Sequence, residues 1–171
     1  MPLFGSFKNT KLISVVFVLV VLLVIAGAYA LFTSLTRKSY DNIVDLNARQ
    51  TEIIRVAALA SGDTDPSTKT YAATVYSITA SEKTATSSFL KKKLVKVTPK
   101  QLAARHDSTI DSSLKTATQV NNYDVVFLGK LDSLIISYEK AEKAVTGTSD
   151  SASEKALFAT FAANSKLLTG K

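Results

Sequence analysis

Cysteine is absent from the 171 residues, and the chain has one histidine, three prolines and six glycines. Without cysteine there is no disulfide framework, no thiolate metal site and no thiol nucleophile. Packing alone must hold the fold. The lone histidine, His106, has neither a cysteine nor a second histidine with which to build a zinc site, and it reads as a solvated surface residue. Scarce glycine and proline argue against a turn-rich sandwich and for helices. No phosphate-binding loop, Gly-x-Gly-x-x-Gly or Gly-x-Ser-x-Gly pattern occurs. A Ser-His-Asp triad drawn through His106 and Asp107 fails, because sequence neighbours rarely supply both base and orienter. No enzyme activity, catalytic residue, metal or cofactor is expected.

Charge is missing in one place above all. Leu12 to Thr36 is a run of 25 residues without Asp, Glu, Lys or Arg, mostly Val, Leu, Ile, Ala and Phe. Roughly 20 apolar residues suffice for a helix to cross the hydrocarbon core of a bilayer. Lys8 and Lys11 precede the run and favour an N-terminus inside. The division expected is a short cytoplasmic N-terminus at 1–11, a transmembrane signal anchor at 12–36 and an extracytoplasmic bundle at 37–171. Ala28-Tyr29-Ala30 matches a small-x-small cleavage site, so secretion after cleavage following Ala30 is the alternative. The apolar pattern continues beyond that site through Leu31, Phe32 and Leu35, which favours retention.

Beyond the run the chain is helical in period. Tyr40, Ile43, Leu46, Gln50, Ile53, Ala57 and Ala60 recur at steps of three and four. Ser61 to Pro66 is turn chemistry. A second helix from Ser67 to Lys93 carries the stripe Tyr71, Val75, Ile78, Glu82, Ala85 and Phe89. A carboxylate on that face is a candidate metal ligand, but Glu82 reads rather as a boundary residue whose stem packs while its carboxylate reaches water. Thr98, Pro99 and Gln101 form a capping box with proline at the first helical position. The weak third helix after it, to about Ala117, is expected to break near His106-Asp107. A fourth helix buries Tyr123, Phe127, Leu131, Leu134, Tyr138, Ala141 and Val145. A fifth starts at the capping box Ser151 to Glu154 and buries Leu157, Phe158, Phe161, Ala162, Ser165 and Leu168. Short loops between long helices imply antiparallel neighbours. The fold expected is all-α, a transmembrane helix running into an up-down helical bundle with a less regular third element.

"TEIIRVAALA", "YAATVYSITASEK", the connector "LVKVTP" and "YDVVFLGKL" occur in an order with a familiar counterpart. Over roughly Thr51 to Leu168 the chain resembles the ferritin-like four-helix domain of predicted periplasmic or outer-membrane bacterial proteins of unknown function. Tyr123-Asp124-Val125-Val126-Phe127 is the most specific piece. The resemblance implies a ferritin-like bundle at the cell envelope, with a histidine in the second helix and another in the fourth. Those histidines fall at about Thr79 and Ile135 here, and neither residue can replace one. Glu52 matches a family glutamate. Carboxylate di-metal bundles use Glu-x-x-His pairs, and none occurs.

The net charge is +7. From Lys83 through His106 there are seven Lys/Arg and no Asp or Glu. A first helix of about 24 residues climbs roughly 36 Å from the membrane at 1.5 Å per residue. A second helix of similar length returns. Lys91, Lys92, Lys93, Lys96, Lys100 and Arg105 are therefore the expected contact with an anionic lipid surface or envelope polymer, at about 1 kcal/mol per charge beside an anionic leaflet. The other expected partners are the bilayer, through 12–36, and an unidentified protein. Nucleic acid is not favoured, since the cluster contains one aromatic, Phe89. The function expected is a non-catalytic structural or interaction role at the cell envelope. The alternatives are a sensory or ligand-binding bundle signalling through a partner, and a degenerate ferritin-like metal or redox protein.

Overall fold

The computed structural model describes residues 9–60, 64–149 and 151–169, with side chains outside 9–18 and 30–39. It is all-α, with no strand among the described residues. Two compact units divide the chain, Met1–Ser39 and Tyr40–Lys171.

Helix α1 spans Asn9–Ala57. In the first unit, the large apolar side chains from Leu19 to Ile25 are all exposed. No helix is long and apolar enough to cross a membrane among the described residues. The expected span, 12–36, lies in large part outside the described side chains, which there comprise only 19–29.

In the second unit α1 is followed by α2 (Pro66–Lys92), α3 (Pro99–Leu102), a 3-10 turn at Ala103–Arg105, α4 (Ser108–Gln119), α5 (Tyr123–Thr148) and α6 (Ala152–Thr169). Local chemistry sets these limits. The Asp65 carboxylate accepts from the Ser67 N–H and caps α2, with Pro66 at the first position. The Thr98–Gln101 capping box is closed from both sides. The third helical region breaks at His106-Asp107, where Asp107 caps α4. The Ser151 hydroxyl accepts from the Glu154 N–H at the start of α6.

Cross-helix contacts fix the directions. Asn47 bonds Ser87, and the Tyr40 and Phe89 rings lie 6.2 Å apart, so α1 and α2 are antiparallel. Tyr123 donates to the Leu59 carbonyl and Gln50 donates to Tyr138, so α1 and α5 are antiparallel too. Tyr71 meets Asp132 while Tyr138 meets Glu82, which makes α2 and α5 parallel. Helix α6 opposes α2 through Tyr71–Leu168 and Glu82–Asn164. The order is up, down, down, up. Simple alternation stops after α2 because α3 and α4 carry the chain back along the bundle before α5 begins.

Phe127, Leu131, Phe158 and Phe161 are buried as expected, with Ile43, Leu46, Ile53, Val56 and Ile135. Tyr123 is only half-buried; its ring stacks on Phe127 while its hydroxyl reaches Leu59. The buried face of α2 is rotated from the expected stripe. It comprises Thr68, Ala72, Val75, Thr79, Glu82, Thr86 and Leu90. The Thr86 hydroxyl donates to the Glu82 carbonyl 2.9 Å away, so this threonine enters the core already satisfied.

Two helix ends share one motif. At the end of α2, Val95 N–H bonds the Leu90 carbonyl and Leu94 N–H bonds that of Lys91. At the end of α4, Asn122 N–H bonds Ala117 and Asn121 N–H bonds Thr118. Both are Schellman caps, which place one residue in the left-handed region. That residue is Asn121 (φ 52°) in one and Leu94 (φ 58°) in the other. Asparagine suits the conformation; a leucine there costs roughly 1–2 kcal/mol.

Candidate functional site: a basic rim and a buried carboxyl pair

The rim begins at the Leu94 turn. Lys91, Lys92, Lys93, Lys96 and Lys100 are exposed around it. They do not act as one cluster. Lys93 is held by Glu154 at 2.9 Å, and its ammonium lies 5.4 Å from the centre of the Phe89 ring. The Glu154 carboxylate raises its pKa. Arg105 lies against Asp45, which also takes Arg49, and these two cations hold the Asp45 carboxyl below its usual range despite the opposing effect of burial. Two of the six expected contact residues are thus engaged within the fold. Among the described residues, Lys91, Lys92, Lys96 and Lys100 have no carboxylate partner. Beside them Leu90, Val95, Val97 and Leu102 line a shallow groove of about 480 Å³.

Glu52 is buried and saturated. Arg55 donates to both its oxygens, at 2.7 and 2.9 Å, and the Asp107 N–H adds a third bond at 3.1 Å. Burial opposes ionisation here, and these donors overcome it to leave the carboxyl below its usual range. His106 Nδ1 stands 3.4 Å from the same carboxylate. The ring is 47% exposed, so it is a surface residue, but one that covers Glu52 rather than standing free.

A second acidic centre lies inside the bundle. Glu82 on α2 is 4% exposed, not the water-reaching boundary residue expected, and Glu142 on α5 is 0% exposed. Tyr138 joins the helices: Gln50 Nε2 donates to its hydroxyl at 2.7 Å, and that hydroxyl donates to Glu82 Oε2 at 2.8 Å. Asn164 donates to Glu82 Oε1 at 2.9 Å, and Ser165 donates to Glu142 Oε2 at 2.8 Å. Gln50 Oε1 and Glu142 Oε1 are buried without a hydrogen-bond partner. Burial raises the pKa of both glutamates, against the pull of their donors, and the Glu82 charge adds to the effect on Glu142. Glu142 is pushed up to about 8. It therefore holds its proton at neutral pH, and protonation turns one of its oxygens into a donor.

The residues do not fit a ferritin-like metal centre. Thr79 and Ile135, where the resemblance would place histidines, are core residues. Glu52 is committed to Arg55 and Asp107. Among the described residues no group of three or more His, Cys, Asp or Glu is arranged to hold a metal ion. Glu142 was missed in the sequence because it neighbours Ala141 on a helix whose stripe could be drawn without it. Its signal was the spacing from Tyr138 and Val145, four residues after one and three before the other.

No protein-family model, curated protein or solved structure matches the chain.

Proposed function

We propose that this chain is a single-pass membrane protein, N-terminus inside, that presents a helical bundle outside the cytoplasmic membrane in a non-catalytic structural or interaction role. The exposed side chains of Leu19 to Ile25, between 39% and 65% accessible, carry the reading. Seven consecutive residues point in every direction around a helix with 3.6 residues per turn. A helix apolar all round belongs in lipid or in a protein core. With roughly half of each surface still exposed, leaving these seven side chains in water forgoes about half of the roughly 1.5–3 kcal/mol that full burial of each would give, a sum comparable with the roughly 5–15 kcal/mol that stabilises a whole domain. The unpaired lysines then supply contact with an anionic surface or envelope polymer.

The bundle supports the ferritin-like resemblance in its connectivity, since one long crossover is the plan of ferritin-like folds. It does not supply that family's ligands. A sensory role is the second reading, favoured by the buried Glu82–Glu142 pair, whose charge state can alter packing. The deciding experiment uses the full chain with a C-terminal tag, alkaline carbonate extraction of membranes and intact mass. Full-length chain retained in the pellet is expected. A soluble chain beginning at Leu31 would refute the anchor.

A further inference from the structure

We infer that the Lys91–Lys96 turn is a membrane wedge, in which Leu94 enters the acyl boundary of an anionic bilayer while Lys91, Lys92 and Lys96 meet its phosphates. The inference rests on the membrane-anchored reading above and adds a second, independent point of contact.

Leu94 carries the argument. It is 93% exposed, more than any other large apolar side chain described. It also occupies the left-handed position of a Schellman cap at φ 58°. The matching cap at the end of α4 places Asn121 there, the residue type that tolerates this conformation. A leucine at the α2 cap is therefore unfavourable twice in water, by backbone strain and by exposure. Packing does not account for it. An environment that removes its surface from water does.

The surroundings specify that environment. Within three positions on either side stand Lys91, Lys92, Lys93 and Lys96, and of these only Lys93 is engaged by a carboxylate among the described residues. An apolar point ringed by cations with flexible stems is the chemistry of an interfacial anchor to anionic lipid. A neutral protein surface would satisfy the leucine but strand the lysines.

Chain connectivity brings lipid within reach. Lys93 and Phe89 lie beside Tyr40. Tyr40 follows Thr36, the last residue of the uncharged run, by four positions. Four residues extend at most about 14 Å. The wedge therefore requires no more than this length of chain between the end of the uncharged run and the turn that carries Leu94.

The test uses the absence of cysteine. Leu94→Cys and, as a control, Val120→Cys are labelled with an environment-sensitive fluorophore in the full chain. Val120 is 67% exposed and lies at the α4–α5 turn, beside the end of α1 remote from Tyr40. Each protein is reconstituted into phosphatidylcholine vesicles with and without phosphatidylglycerol, and nitroxide-bearing lipid is the quencher. Several-fold stronger quenching at position 94 than at 120, in the anionic vesicles, is expected. Equal quenching at both positions, in vesicles that float with the chain, overturns the wedge and leaves the anchor standing. Equal signals at position 94 in neutral and anionic vesicles overturn the role of the lysines. Failure of the chain to float with either vesicle overturns the anchor, and the wedge with it. Leu94→Asn supplies a readout that does not depend on labelling: it should melt about 2–4 °C higher, and an unchanged or lower melting point removes the strain on which the argument stands.

Discussion

Replacing Glu142 by glutamine tests the buried pair most directly. Glu142 is 0% exposed, is pushed up to about 8 by burial and by the Glu82 charge, and keeps one oxygen without a partner. Its ordinary value is 4.5. The folded state therefore holds this proton more firmly than the unfolded chain does. The associated stability is fully present below about pH 4.5, declines as pH rises and is gone once pH passes the folded value near 8. At 1.36 kcal/mol per pH unit the loss has an upper bound of about 5 kcal/mol. Even half of that is a large share of a domain's roughly 5–15 kcal/mol. Glu82, also raised, acts in the same direction. The groups that face the pair, Tyr138, Gln50, Asn164, Ser165 and Glu139, include no cation to offset the second charge. Urea denaturation of residues 40–171, a compact unit by itself, should show wild-type stability falling between pH 5 and 9. Glu142→Gln should flatten most of that slope and be the more stable protein at pH 9. Asp45 and Glu52, whose values are lowered, have finished titrating below this window. Parallel profiles for the two proteins would show that Glu142 is charged in the folded state and that the burial argument is wrong.

The aromatic core and the rim give two further expectations. Phe127→Ala and Phe158→Ala, at two side chains with no exposed surface, should each cost roughly 3–5 kcal/mol, and unchanged melting of both would mean that the facing surfaces of α5 and α6 are misassigned. Replacing Lys91, Lys92 and Lys96 together by Gln should weaken binding of residues 40–171 to anionic vesicles by roughly 3 kcal/mol at low salt, while Lys93→Gln, whose ammonium is already engaged by Glu154 and the Phe89 ring, should have a smaller effect. Co-sedimentation at two salt concentrations measures both, and equal losses would show that the division into engaged and free lysines has no bearing on binding.

Helix ends were legible because their chemistry is local. Thr98 to Gln101 and Ser151 to Glu154 name their caps within four residues, and no distant contact competes with them, whereas Asp65-Pro66 reads as turn chemistry and proves to be the cap and first residue of α2. The break at His106-Asp107 was legible for the same reason. The face of α2 was not. Its period is helical and the expected stripe shares Val75 and Glu82 with the buried face, but threonine reads as polar, so Tyr71, Ile78, Ala85 and Phe89 stand in the stripe where Thr68, Ala72, Thr79, Thr86 and Leu90 are buried. Thr86 enters the core by returning its hydroxyl to its own helix, and Glu82 by meeting Tyr138 and Asn164. Neither device leaves a mark in a pattern of apolar residues. The direction of α5 was equally hidden, because it depends on how far α3 and α4 carry the chain.

The polar centre also bears on why this bundle adopts one register. The buried face of α2 consists largely of alanine, valine and threonine, and such small side chains let a helix slide with little change in contact. No disulfide fixes them, since the chain has no cysteine. The Gln50–Tyr138–Glu82–Asn164 chain joins α1, α5, α2 and α6 in a single connected set. Sliding α2 by one turn, about 5.4 Å, would break both bonds to Glu82 and leave a buried carboxyl with neither donor. A buried group without its partners costs about 1–3 kcal/mol, and more when charged, whereas the apolar contacts would largely re-form one turn away. The acidic pair is expected to lower the stability of the bundle at alkaline pH, yet the hydrogen bonds it accepts tie α2 to α5 and α6 in the native register. Buried polar groups serve that purpose in other helical assemblies, and here the need arises from the small side chains on the buried face of α2, with no covalent cross-link.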